Sequence, residues 1–209
     1  MSEHSSSSDL VAGAPSHPAR ARAQTNARCT RRGALALLAA APWAAGAEVS
    51  APAELATELP AARLLGSARL TWFTLPVYDA RLWVDGPLRA AAFAQTPLAL
   101  ELEYARSLRG ERIAERSLEE MRRGGDISTE QGAAWLASMR ALFPDVARGD
   151  RLTALHRPGR ALRLFFNSVA RGELGDADFA PRFVGIWLGP ATSEPQMRQA
   201  LLGARGAPL

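Results

Sequence analysis

The sequence predicts an α+β domain, a large antiparallel sheet with a layer of helices on one face. Three observations predict it. Strand-like and helix-like segments come in segregated blocks, in the order strands, helices, strands, helices, rather than alternating as parallel βαβ units do. Turn chemistry, not crossover helices, separates the strand-like segments within a block. One segment, residues 98–105, has a clean two-residue period, with Leu98, Leu100, Leu102 and Tyr104 alternating with Ala99, Glu101, Glu103 and Ala105. That is a strand with one dry and one wet face, on which Glu101 and Glu103 read as a solvated pair.

The remaining elements follow in order. Residues 69–73 and 77–84 form a first strand pair, with Pro76 between them at an edge or bulge because proline cannot donate to a ladder. Asp85-Gly86 ends the second strand with turn residues. Residues 111–123 place Ala114, Leu118 and Met121 on one helical stripe, charges cover the rest, and Gly124-Gly125 stops the run. Ser128 and Gln131 have the spacing of a capping box. The helix they open carries Trp135, Leu136, Met139, Leu142 and Phe143 on a wide apolar face and ends at Pro144. Strands return at 151–156 and 161–167, joined through Pro158-Gly159, the residues a type II turn requires. Asn167-Ser168 is a further turn into a short strand over 169–174. Asp176 can cap a helix with Phe179, Phe183 and Trp187 at four-residue steps, and Ser193 with Gln196 repeats the capping pattern before a last helix closed by Gly203.

The 209 residues are 47% hydrophobic and 22% charged, the balance of one soluble globular domain or of one domain plus a tail. The isoelectric point of about 10.4 suggests a nucleic-acid binder until the charge is located. Residues 1–47 hold five arginines against Glu3 and Asp9, which leaves 20 arginines and 19 acids over 48–209, a net of +1. A near-neutral body lacks the clustered positive footprint that phosphate binding needs, so nucleic acid is not expected as a partner.

The basic head reads as an address. A polar stretch rich in Ser, Ala, Pro and Arg leads to Arg31-Arg32, an apolar run over 33–41 and Ala45-Gly46-Ala47, with Glu48 as the first residue of a mature chain. Positive charge, a short apolar stretch and a small-residue end compose a secretory signal. The paired arginines resemble the twin-arginine export signal, although Ala34 stands where a bulky residue is usual, so the general secretory route is open as well. The expected organisation is therefore an export signal over 1–47, a linker over 48–63, a folded domain over 64–203 and a tail over 204–209, in a periplasmic protein that meets a membrane only through an uncleaved export segment.

Removing the head removes Cys29 and two of the three histidines, leaving His156. One imidazole and no thiol cannot assemble Ser-His-Asp or Cys-His catalysis or a zinc site, so no metal is expected and no confident catalytic residue is assigned. The chain has no lysine, which excludes Schiff-base chemistry, and no glycine-rich phosphate loop, and no cofactor is expected.

Gly66-Ser67-Ala68-Arg69 followed by Val77-Tyr78-Asp79-Ala80-Arg81-Leu82-Trp83 resembles the opening strand pair of the chalcone isomerase-like superfamily. The resemblance continues through Leu100-Glu101-Leu102-Glu103-Tyr104, Phe143-Pro144-Asp145, Phe165-Phe166-Asn167 and Phe183-Val184-Gly185-Ile186-Trp187, covering about residues 64–203, and is greatest to the exported bacterial branch. It implies an open-faced sandwich with an apolar cleft between sheet and helices. Plant members cyclise chalcones by adding a phenolate to an enone, with arginine, threonine and tyrosine as stabilising groups; other members bind fatty acids through an arginine and a tyrosine. Carried to this chain, the resemblance implies a ligand site of Arg69, Thr74, Tyr78 and Tyr104. The helical tyrosine and asparagine of the enzymes have no counterpart, which favours a non-catalytic binder of a small apolar carboxylic acid. A cofactor-free isomerase or intramolecular lyase acting on a flavonoid-like ligand is the second expectation. An envelope partner-binding protein whose cleft is filled by its own side chains is the third.

Overall fold

A computed structural model describes residues 49–203, which fall within one compact unit, Gly46–Leu209. The predicted export head and the tail after Gly203 lie outside the described residues. Six strands form one antiparallel sheet in the order β1-β2-β3-β4-β5-β6: β1 (Arg63–Trp72), β2 (Leu75–Val84), β3 (Leu98–Tyr104), β4 (Arg151–His156), β5 (Leu162–Phe166) and β6 (Val169–Leu174). Each strand pairs with its sequence neighbours, so the sheet is a meander. Between β3 and β4 the chain leaves the sheet for two helices, α2 (Gly110–Arg123) and α3 (Thr129–Leu142), and after β6 it adds α4 (Phe179–Leu188) and α5 (Pro195–Leu201). This is the α+β architecture the sequence predicts.

Local chemistry explains the boundaries. Ser128 Oγ accepts the Gln131 N–H at 3.1 Å and starts α3. Asp176 Oδ1 accepts the N–H groups of Asp178 and Phe179, both at 3.0 Å, and turns the chain into α4. The second Ser-x-x-Gln pattern behaves differently: Pro195 occupies the first turn of α5, and Thr192 Oγ1, not Ser193, accepts the Glu194 N–H at 3.1 Å. Gly159 has φ +73°, the conformation its place in the predicted turn requires. Pro76 lies in β2 beside a register shift in its pairing with β1 and beyond the last β2–β3 pair, Tyr78↔Tyr104, so its missing N–H removes no bond to β3.

The principal core lies between the sheet and α2–α5. Alternate strand residues (Ala80, Leu82 and Val84; Leu98, Leu100 and Leu102; Leu152 and Ala154; Leu162 and Leu164) meet Ala114, Leu118 and Met121 of α2, Trp135 and Met139 of α3, and Phe179, Phe183 and Trp187 of α4. At roughly 25 cal/mol per Å² of apolar area, burial of these aromatic and branched side chains is the main stabilising term. Gly66 lets α5 approach β1, since a β-carbon there would stand 2.2 Å from the Ala200 carbonyl oxygen.

The opposite face of the sheet differs from expectation in two respects. Residues 48–63, read as a linker, contain a short helix α1 (Leu55–Glu58), and Leu55 and Leu59 pack with Trp83, Ala99, Leu155 and Phe165 into a second apolar cluster. Glu58 anchors α1 by accepting from Arg163 Nη1 at 2.6 Å and pairing with Arg157 Nη2 at 3.0 Å. Glu101, expected in solvent, is 2% exposed. Its carboxylate accepts from Trp83 Nε1 at 2.8 Å and Arg81 Nη1 at 3.0 Å, with Arg151 Nε at 3.7 Å. Burial raises its pKa against the lowering effect of the indole and the guanidiniums.

Candidate functional site

A cavity of about 410 Å³ opens between the helix-covered face of the sheet and helices α2 and α4. Its size falls within the ~300–1,000 Å³ of small-ligand sites. Leu100 and Leu102 of β3, Leu152 and Ala154 of β4 and Leu164 of β5 form its floor; Ile113 and Ser117 of α2 and Phe183, Ile186 and Trp187 of α4 form its roof. The alternation of the strands and the stripes of the two helices bring these residues together. The expectation of a cleft filled by its own side chains is not met.

The polar groups cluster at one end. Tyr78 and Tyr104 are paired across β2 and β3, with their rings edge to face at 5.9 Å. Tyr78 Oη accepts the Trp187 Nε1–H at 3.0 Å, which joins β2 to α4 and leaves the phenolic proton available to a ligand. Burial pushes the Tyr78 phenol up to about 12 and raises that of Tyr104 as well, so both are neutral O–H donors at physiological pH. Ser117 Oγ is engaged by the Ile113 carbonyl at 2.7 Å. The solvent-facing lining residues are Trp72, Arg106, Arg112, Arg116 and Glu194, which define the mouth. Arg112 pairs with Glu115, and Arg116 with Glu119 and Glu120. Arg106 has no carboxylate partner among the described residues.

The four residues that the resemblance implied as a ligand site are not brought together. Tyr78 and Tyr104 line the cavity; Arg69 and Thr74 do not. Ala68 and Leu70 pack against the helix-side core, so Arg69 between them projects from the other face. There its guanidinium grips Asp79 with two bonds, Nε to Oδ1 at 2.7 Å and Nη2 to Oδ2 at 2.8 Å, and its side chain is 60% exposed. The pair raises the pKa of Arg69 and lowers that of Asp79. Thr74 sits in the β1–β2 turn at φ +69° with its hydroxyl donated to the Phe73 carbonyl. The alternation of Ala68, Leu70 and Trp72 with Arg69 and Thr71 carries this information already, because neighbouring strand residues face opposite ways. Arg106 gave no such signal. It follows the end of β3, and only the return of α2 over the sheet makes it a mouth residue.

A sequence profile of the chalcone isomerase-like family matches residues 46–203. The chain belongs to the chalcone isomerase-like family. The matched region includes the segment that folds as α1, consistent with its place in the domain. An uncharacterised protein of Haemophilus influenzae is 28% identical over 141 residues, 66% of this chain and 67% of that protein. Among solved structures, an Arabidopsis thaliana fatty-acid binding protein superposes with a TM-score of 0.51 at 13% identity, covering 69% of this chain and 88% of that one. At that identity the likeness is one of fold.

Proposed function

We propose that this protein is a non-catalytic binder of a small apolar carboxylic acid such as a fatty acid. The observation that carries the proposal is an apolar cavity whose polar end presents two protonated phenols beside an arginine with no carboxylate partner among the described residues. The alkyl chain lies along Leu102, Ala154 and Leu164, where apolar burial supplies the affinity. The carboxylate stays at the mouth, where Arg106 pairs with it and Tyr78 and Tyr104 donate to it. Arg69, the arginine implied by the resemblance, has no part in this arrangement. The fatty-acid binding protein of the same fold supports this reading.

The test is displacement of a fluorescent fatty acid from the full chain. Arg106→Ala is expected to weaken binding roughly tenfold, the loss of one charge-assisted contact, while Arg69→Ala leaves it unchanged. Equal affinities for the two variants, or no displaceable binding, would overturn the assignment. Turnover of a 2′-hydroxychalcone would overturn the non-catalytic reading. We place the protein in the periplasm, on the strength of the head sequence over 31–47. Intact-mass analysis of the periplasmic fraction should then find a chain beginning at Glu48.

A further inference from the structure

We infer that Ala154 sets the depth of the cavity and fits it to an unbranched acid of about ten to twelve carbons; this rests on the reading of the cavity as a carboxylic-acid site. On the cavity floor Ala154 is paired with Leu100 on one side and Leu164 on the other. All three line the cavity, yet Ala154 is 5% exposed and the two leucines only 1% each. An alanine between two leucines leaves a dent in the floor, and the accessible space reaches into it. The next row on this face is Leu98 paired with His156, both fully enclosed and neither lining the cavity. His156 is fixed there with its Nε2 2.9 Å from the Ala94 carbonyl oxygen, so this row is an end wall.

The spacing of the sheet gives the length. A carboxylate held by Tyr104 starts four residues along β3 from Leu100, and Ala154 lies one strand further across. At ~3.3 Å per residue and ~4.8 Å between strands, the span from Tyr104 to Ala154 is about 14 Å. Carbon–carbon bonds of ~1.5 Å in a zigzag advance about 1.25 Å per carbon, so the span holds about eleven carbons. Each methylene that reaches the floor strengthens binding about fourfold through apolar burial. Once the chain meets the row of Leu98 and His156, further methylenes stay in water outside the mouth and add nothing. The substitution Ala154→Leu brings three more carbons into the dent and stops the chain about three carbons sooner.

Calorimetric titration of the full chain with unbranched acids from hexanoate to tetradecanoate tests this. In the wild type, affinity is expected to climb about fourfold per methylene to about eleven carbons and then level off. In Ala154→Leu it levels off at about eight carbons. Dodecanoate then binds the variant roughly fiftyfold more weakly than the wild type, while octanoate binds both alike. Retained octanoate binding also shows that the variant is folded. Ala154→Val, which adds two carbons and suits a strand, should move the break by about two. Affinity that climbs through tetradecanoate in the wild type, or variants that weaken every acid by the same factor, would overturn the depth assignment and leave the acid-binding reading standing. Absence of binding for every acid in the wild type overturns that reading itself, and the depth assignment with it.

Discussion

Two polar clusters, one on each face of the sheet, are arranged in opposite ways. On the face away from α2–α5, Glu101 is enclosed but matched to Trp83 and Arg81, and Arg69 is matched to Asp79. On the helix-covered face, Tyr78 and Tyr104 keep donor capacity directed into an apolar cavity, with Arg106 at its mouth. The first arrangement closes on itself and holds strands together; the second is left able to engage something that is not part of the chain. Arginine identity therefore says little here, and the face on which an arginine stands says most.

The sharpest way to break the contrast is Glu101→Ala. Removing the carboxylate leaves the Trp83 indole and the Arg81 guanidinium without their buried acceptor, and a loss of ~3 kcal/mol is expected in urea unfolding, with ligand affinity retained. A second effect depends on pH. His156 is buried on the helix side, its Nε2 2.9 Å from the Ala94 carbonyl, and burial lowers its pKa below the ordinary 6.5. The unfolded chain then binds more protons than the folded one as pH falls below 6.5, so stability present above that value is lost toward the folded-state pKa. Urea midpoints measured through this range should decline for the wild type and flatten in His156→Gln.

Tyr78→Phe should be milder for the fold and telling for the site. It removes the acceptor of the Trp187 indole and a ligand donor, with about 1 kcal/mol lost in unfolding and a parallel fall in fatty-acid affinity. Asp79→Asn should do least. It weakens an exposed pair of the kind that contributes little, and displacement titrations should match the wild type. A strong loss of ligand affinity in Asp79→Asn would show that the two faces are coupled.

The sheet was legible wherever alternation, turn residues and helical stripes agreed, as in β3, at Pro158-Gly159 and along Phe179, Phe183 and Trp187. The α1 segment was not, because Leu55 and Leu59 are two apolar residues among Ala, Pro and Glu, too few to show a period; their burial depends on Leu155 and Phe165 far along the chain. Glu101 obeys the strand alternation and is still buried, since its acceptor role depends on Trp83 of the neighbouring strand. Of the site, the two tyrosines could be found from the sequence and the mouth arginine could not. Arg69 could have been set aside by the period of β1 itself.

The Tyr78–Trp187 hydrogen bond spans 109 positions of sequence, whereas every strand pairs only with its neighbours in the chain. During synthesis the sheet can zip up hairpin by hairpin as it emerges, yet the indole that completes the pocket's polar end arrives after the last strand. A nascent chain halted at β6 would possess a complete floor and only the α2 part of the roof. The closed pocket is thus the last feature of this fold to be completed, and it waits on α4.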